Sequence, residues 1–479
     1  MKKLALAPYH LFQHQGNNYA FDVETSAVMR LDDAAYDALA LRLKGSDAET
    51  MRSRLASAYG EDTAQTVLQE LAWLNKKGIF RGPVQTYTDQ ENEAYIQQLV
   101  RMRTNKIELY LAEACNLRCR YCYVNENDAL NNGLMPWEIA QQAVDLVFQR
   151  AGEADSVNIT FFGGEPLMNK PVLRQVINYS QQLGKERSKQ VGYTMTTNAT
   201  LLDDEIIGTI KQYNFGLMIS MDGPKDVHDH MRPMVDGTGS FDKAARNVKR
   251  LMKRRRSVTV RCTMSNQCLD RVKIVEFLED FGYTRVAMSR CSGKSDHIGP
   301  YDIGPEEIEI LKQQDDYFIE RLFKQLDAGD HVRFNPWATA MRNIHNKQER
   351  RMRCGVGRGC TTVGIDGNLY PCHRYVGMEK YVLGHVTTGI DREKFADYLR
   401  GYFETKKKCE SCWAINICGG YCPWYVSSTS GTFPVPEDWW CEEVRAWLEQ
   451  GVWMYDTLRE RYPEYLSQLV GEDLEPLLR

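Results

Sequence analysis

From position 106 the chain settles into an alternation that few folds accommodate: short runs rich in β-branched and aromatic residues, each followed by an amphipathic stretch of helical period. The runs are IELYLA (107–112), NITFF (158–162), YTMTT (193–197), GLMIS (216–220), VTVRCT (258–263) and RVAMS (285–289). Between them stand patterns such as PWEIAQQAVDLVFQRA and KIVEFLEDFG, with apolar residues at three- and four-residue intervals. A strand that returns to its own sheet through a helix crosses over right-handed, so repeated units give a parallel sheet with helices outside. The six runs predict an α/β fold, a partial (β/α)6 barrel. Ligands of such sheets sit beyond the carboxyl ends of the strands. The segments that follow each run are therefore where chemistry is expected.

Those segments are distinctive. The first run leads into CNLRCRYCY, with Cys115, Cys119 and Cys122 spaced C-x3-C-x2-C, and the second into Gly163-Gly164-Glu165-Pro166. The third runs into Asn198 and Thr200, the fourth ends at Ser220 and Asp222, and the fifth ends at Arg261 and Thr263. Three thiolates fix three irons of a [4Fe–4S] cluster and leave the fourth iron open to another molecule. A three-cysteine remnant of a zinc site, completed by a histidine, is the competing reading of the triplet. The loop resembles that of the radical S-adenosylmethionine (SAM) enzymes, down to the aromatic Tyr121 before the third cysteine. The resemblance implies that SAM chelates the open iron and is cleaved to a 5′-deoxyadenosyl radical. It also implies SAM contacts at Gly163, Gly164, Glu165, Ser220 and Asp222, with Asn198 and Arg232 as further candidates. Asn198 also suits a cap of the helix beginning near Leu202, and Asp222-Gly223-Pro224 a simple turn. No catalytic acid or base is singled out.

Fourteen cysteines is a high count, and eight of them fall between Cys354 and Cys441. The amino-terminal stretch MKKLALAPYH is too short and too broken for a signal peptide, and no run reaches the length of a membrane span, so a cytoplasmic location is expected. In a reducing compartment such cysteines read as metal or redox ligands rather than as disulfides. Their spacing is C354-x5-C360-x11-C372, then C409-x2-C412-x5-C418-x3-C422, then Cys441. Eight ligands fit two four-cysteine sites; two zinc ribbons also satisfy the C-x2-C spacing. IDGNLYPC, with Gly367, reads as a hairpin presenting Cys372. The arrangement resembles the SPASM extension of radical SAM proteins, which carries two auxiliary [4Fe–4S] clusters. By that resemblance Cys354, Cys360, Cys372 and Cys422 hold one cluster, and Cys409, Cys412, Cys418 and Cys441 the other. Cys262, Cys268 and Cys291 are assigned no role.

The expected organisation has five parts. Residues 1–88, with three strand-like runs followed by helical patterns, suit a winged-helix-like unit, and the polar stretch 89–104 a linker. The barrel spans 105–315, the cysteine-rich region 316–450 and a helical tail 451–479. The formal charge of −4 gives no reason to expect nucleic acid or a membrane as partner. The basic run 243–257 lacks interleaved aromatics and reads as a solvated helix face. His228, His230 and the tryptophans 413, 424, 439 and 440 read as core or turn residues.

The first 88 residues resemble the peptide-recognition domain of maturases of ribosomally made peptides, where a leader peptide adds a strand to a sheet edge. The order of parts resembles thioether-forming maturases of the SCIFF type and those of quinohemoprotein amine dehydrogenase. This implies a precursor peptide with a leader segment as partner and a flavodoxin or ferredoxin as reductant. The implied product is a bond from a cysteine sulfur to a carbon of another residue. Carbon–carbon crosslinking, epimerisation and formylglycine formation remain open on the same scaffold, as does a non-catalytic electron carrier.

Overall fold

The structure is a computed structural model that describes residues 7–471 except 83, 85–86, 125–132, 256, 293–298, 348–349, 357–359, 428–432 and 434–437. Among the described residues no helix is long and apolar enough to cross a membrane.

The amino-terminal unit is a three-stranded antiparallel sheet, β1 (Tyr9–His14), β2 (Asn17–Asp22) and β3 (Val28–Leu31). Gln15 and Gly16 turn β1 into β2 with φ of 45° and 74°, the left-handed pair that a tight hairpin requires. Helices α1 (Asp33–Leu43), α2 (Ala48–Tyr59) and α3 (Glu61–Lys76) follow. One face of the sheet, including Tyr9 and Ala20, packs on these helices. The other face, with Phe12, Tyr19, Phe21 and Val23, is continuous with the core of the rest of the molecule.

Residues Asp89–Arg101 form a helix, α4, where the sequence suggested a linker. Thr88 and Glu91 close a reciprocal capping box at its start. Its apolar face, Ile96, Leu99 and Val100, is buried with Tyr375, Leu399 and Tyr402 of the cysteine-rich region.

Six parallel strands then alternate with helices: β4 (Lys106–Ala112), β5 (Ser156–Gly163), β6 (Gln190–Thr197), β7 (Gly216–Ser220), β8 (Thr259–Met264) and β9 (Arg285–Arg290). They lie side by side in chain order, so each crossover is to the adjacent strand. Period-two alternation sends Val157, Ile159 and Phe161 of β5 outward into the helical layer, where each is fully buried. Thr160 and Phe162 face the opposite side. The helices between them are α5 (Trp137–Arg150), α6 (Lys170–Glu186), α7 (Asp204–Gln212), α8 (Lys225–Met231), α9 (Phe241–Met252) and α10 (Arg271–Phe281). The basic run falls largely on α9, where Arg250 pairs with Asp204 at 2.6 Å and Lys249 lies 4.0 Å over the Phe281 ring.

The sheet does not stop at β4. The strand β10 (Cys360–Val363) adds to β4 in parallel, with β11 (Asn368–Tyr370), β12 (Gly384–His385) and β13 (Gly389–Ile390) continuing antiparallel to give ten strands. Gly367, at φ +85°, makes the turn between β10 and β11, as the sequence suggested. The cysteine-rich region is thereby an extension of the barrel sheet. A single helix, Asp438–Arg461, runs through the boundary expected at 450/451.

Candidate functional site

The carboxyl ends of the strands open into a cavity of about 1280 Å³. Cys115, Cys119 and Cys122 line it together with Gly163, Gly164, Glu165, Asn198, Ser220 and Arg232.

The cysteine loop is held from both sides. Gly164 N–H donates to Ala112 O at 2.7 Å, and Glu165 N–H to Ala114 O at 3.1 Å, so the GGEP turn is zipped to the backbone that enters the loop. A side chain at Gly163 would meet Ala112 O at 2.4 Å, and one at Gly164 would meet Glu113 O and Ala114 O at 2.6 Å. Both glycines are thus required by close backbone approach. On the other side, the segment after α8 straps the loop: Arg118 N–H donates to Pro233 O at 2.8 Å, Arg120 N–H to Met231 O at 2.9 Å, and Val235 N–H to Asn116 O at 3.2 Å.

Glu165 is buried, and both its carboxylate oxygens are engaged by the protein. Oε1 accepts from Thr197 Oγ1 at 2.7 Å and Leu167 N–H at 3.1 Å, and Oε2 from Asn198 N–H at 2.8 Å. Burial pushes its carboxyl up to about 7 against the pull of these donors. Asn198 caps no helix; Asp203 caps α7. Its Nδ2 donates instead to Asn116 Oδ1 at 3.0 Å, tying the end of β6 to the cysteine loop.

Six of the seven expected SAM contacts line the cavity. Asp222 does not. It is buried behind the wall, where Oδ2 accepts from Arg232 Nε at 2.8 Å and from the Tyr121 hydroxyl, and Oδ1 from Arg232 Nη2 at 3.1 Å and Thr263 N–H at 2.9 Å. His228 is neutral in the same network: burial and the nearby Arg232 cation push it down to about 4, and its ring reaches Ser240 Oγ at 3.1 Å.

The residues suit an iron–sulfur cluster. The triplet offers three sulfur donors, and burial pushes the Cys115 thiol up to about 12, so ionisation there requires a compensating cation. Among the described residues the hydroxyls of Tyr110 and Tyr123 are buried with no partner beyond each other, and Cys122 is among the charges that act on both. Such donors beside thiolates are what cluster sulfurs accept.

The remaining cysteines gather as two groups. Cys422 lies close enough for its charge to act on Cys354 and Cys372, and Cys412, Cys418 and Cys441 close enough to act on Cys409. The Cys360 side chain lies outside the described residues, although its backbone begins β10. No described cysteine is in a disulfide. Cys262 is buried in packing and Cys268 lies against the core, whereas Cys291 reaches the cavity and donates to Asp302 Oδ1 at 3.2 Å.

Several cavity residues were not singled out from the sequence. His373 Nδ1 meets Glu108 Oε1 at 3.1 Å, and its ring stacks on Phe162 at 4.2 Å. Arg374 lies over the rings of Trp424 at 4.5 Å and Tyr123 at 5.2 Å. Neither Arg374 nor Arg261 has a carboxylate partner among the described residues, and burial, with the nearby Arg374 cation, weakens the hold of Arg261 on its proton. Their signal was local: His373 and Arg374 directly follow the ligand candidate Cys372.

Residues 109–289, which run through all six barrel strands, match the Radical SAM superfamily. The barrel of this chain is a radical SAM domain. It is related to the cysteine-type anaerobic sulfatase-maturating enzyme of Clostridium novyi, with 24% identity over 359 residues that make up 71% of this chain and 92% of that protein. The radical SAM cyclopropyl synthase TigE of Paramaledivibacter caminithermalis is 21% identical, over 78% of this chain and 80% of its own. The radical SAM fold here superposes on anSMEcpe with bound AdoMet at a TM-score of 0.64 and 19% identity, covering 76% of this chain and 97% of that one. The Streptococcus suis protein SuiB bound to S-adenosylmethionine gives a TM-score of 0.50 at 14% identity, over 87% of this chain and 95% of that one.

Proposed function

We propose that this radical SAM enzyme installs thioether crosslinks in a ribosomally made peptide, joining a cysteine sulfur to a carbon of another residue. The observation that carries this reading is the construction of the cavity. The Cys115–Cys122 loop lines it, and so do His373, Arg374, Met378 and Trp424, which belong to the region of the eight further cysteines. A substrate in the cavity lies between a site that starts a radical reaction and sites able to take an electron from it.

Cys115, Cys119 and Cys122 hold the SAM-binding [4Fe–4S] cluster. Cys354, Cys360, Cys372 and Cys422 hold a first auxiliary cluster, and Cys409, Cys412, Cys418 and Cys441 a second, three in all. When bound, the first cluster with SAM supplies a 5′-deoxyadenosyl radical that removes a hydrogen atom from carbon. Gly163, Gly164, Asn198 and Ser220 border the SAM side. Overall, a C–H and an S–H bond are lost and a C–S bond forms. With those groups bound, the hydrogen atom would leave on 5′-deoxyadenosine, the thiol proton to solvent, and one electron would go to the site that Cys354, Cys360, Cys372 and Cys422 would hold. A flavodoxin or ferredoxin supplies the electron that starts each turnover. Arg261 and Arg374, without a carboxylate partner among the described residues, give the cavity two cations; the carboxylate of SAM suits one, and an acidic group of the peptide suits the other. The precursor peptide is engaged through its leader by residues 1–88, whose strand β3 is paired on one side only within its sheet.

The likeness to sulfatase-maturating enzymes favours a second reading, formylglycine formation on a sulfatase. The two separate by mass spectrometry of the reacted peptide after strong reduction and alkylation. A thioether leaves the peptide two mass units lighter with its cysteine refractory to alkylation. Formylglycine formation removes the cysteine sulfur, and a carbon–carbon crosslink leaves the thiol free to alkylate.

A further inference from the structure

Arg232 was expected to reach SAM, yet its guanidinium has little left to offer. Nε and Nη2 are held by the two oxygens of Asp222, at 2.8 and 3.1 Å. The third nitrogen, Nη1, points at Cys119 Sγ, 3.9 Å away. The guanidinium plane lies 5.4 Å from the centroid of the Tyr121 ring, and the Tyr121 hydroxyl donates to the same Asp222. Arg232 O accepts from Ser240 Oγ at 2.6 Å, so the backbone that carries the side chain is itself pinned. Both members of the ion pair are buried, with side-chain exposures of 9% and 1%.

We infer that Arg232, held by Asp222 and Tyr121, is a positioning residue for the SAM-binding cluster: it presents a fixed positive charge to the Cys119 sulfur and raises the reduction potential of that cluster. The inference rests on the reading of Cys119 as a cluster ligand. Reduction adds negative charge to a cluster, and a cation beside a ligand sulfur favours the reduced state most where water is excluded. A guanidinium is suited to this because it keeps its proton and because its fork fixes the direction of the remaining N–H groups. Arg232 is the strongest of the charged groups acting on Cys119, ahead of Cys122, Cys115 and the more distant Asp222. The pair therefore acts as a dipole with its positive end toward the sulfur. Tyr121, the aromatic residue inside the cysteine motif, serves to hold the aspartate and to floor the guanidinium.

The test is a redox titration of the reconstituted holoenzyme without SAM, following the electron paramagnetic resonance signal that SAM perturbs, with SAM half-saturation measured separately. Arg232→Gln should move the midpoint to lower potential, Arg232→Lys should recover much of the shift, and Asp222→Asn should move it the opposite way. Opposite signs from two neighbours in one network are not produced by loosened packing. An unchanged midpoint in Arg232→Gln overturns the inference, and does so decisively if SAM half-saturation has meanwhile risen tenfold or more, since Arg232 is then a SAM ligand. If Arg232→Gln fails to take up iron, Arg232→Lys and Asp222→Asn still decide by their signs. A separate Cys119→Ala protein that kept the SAM-perturbed signal would show that the ligand reading had failed, not the electrostatic one.

Discussion

At Glu165 and Asp222 the sequence and the structure assign different work to the same residue type. Both carboxylates stand at strand ends where a ligand contact was expected; Glu165 lines the cavity with both oxygens engaged by protein donors, and Asp222 is buried behind its wall, and each locks one motif to the next. A motif's position fixes that a residue is needed; only the direction of the side chain tells whether it meets the ligand or the scaffold. Glycines are easier to read, because Gly163 and Gly164 act through the absence of a side chain against Ala112, Glu113 and Ala114. His228 gives a prediction at this scale. It is 1% exposed and burial holds it near 4, whereas an unfolded histidine titrates near 6.5. Between those values the unfolded chain takes up a proton that the folded chain refuses, so stability is full above about pH 6.5 and falls as pH drops toward 4. The loss attributable to His228 is ~3 kcal/mol across that window. Denaturant melts of the protein at pH 7 and pH 5 should show a drop that shrinks in His228→Gln; equal drops in both proteins would contradict it.

Among the elements, the six barrel strands were legible because each combines β-branched or aromatic composition with a clear period of two and is separated by amphipathic helices. Three features were not. The helix Asp89–Arg101 looked like a linker because its residues are mostly polar, yet Thr88 and Glu91 carry a capping box that marks its start. The pairing of β10 with β4 joins residues some 250 positions apart, and nothing local announces it. The docking of the amino-terminal sheet was equally hidden. His10 stacks on Trp413 at 4.2 Å, Phe21 meets the same ring edge-on at 5.6 Å, and Asn416 Nδ2 donates to Val23 O at 2.8 Å. Arg30 reaches Asp456 at 2.9 Å on the helix that begins near Cys441. Trp413 follows Cys412 directly, so these contacts brace the segment proposed to hold the second auxiliary cluster. Deleting residues 1–88 should therefore do more than abolish leader binding: iron in the reconstituted protein should fall from about twelve to about eight per chain. Iron analysis that finds about twelve in the truncated protein would show that the domain is a removable attachment.

Across the whole molecule, one continuous sheet carries both the radical SAM strands and the hairpin that presents Cys372. That continuity brings His373, Arg374 and Trp424, close in sequence to Cys372 and Cys422, to line the same cavity as Cys115, Cys119 and Cys122. Tyr123 is subject to the charges of both Cys122 and Cys372. The family and the triplet were readable from the sequence, because a metal motif has a fixed local spacing. The lining by His373, Arg374 and Trp424 was not, since it exists only after β10 has joined β4. A peptide that occupies this shared cavity should lose hydrogen there. The most direct measurement is mass spectrometry of 5′-deoxyadenosine formed during turnover with a precursor peptide deuterated at carbon in its acceptor residues. Deuterium should pass from the peptide into 5′-deoxyadenosine in proportion to crosslinked product. If 5′-deoxyadenosine is formed at the same rate with no peptide deuterium in it while the peptide is being modified, the account is contradicted.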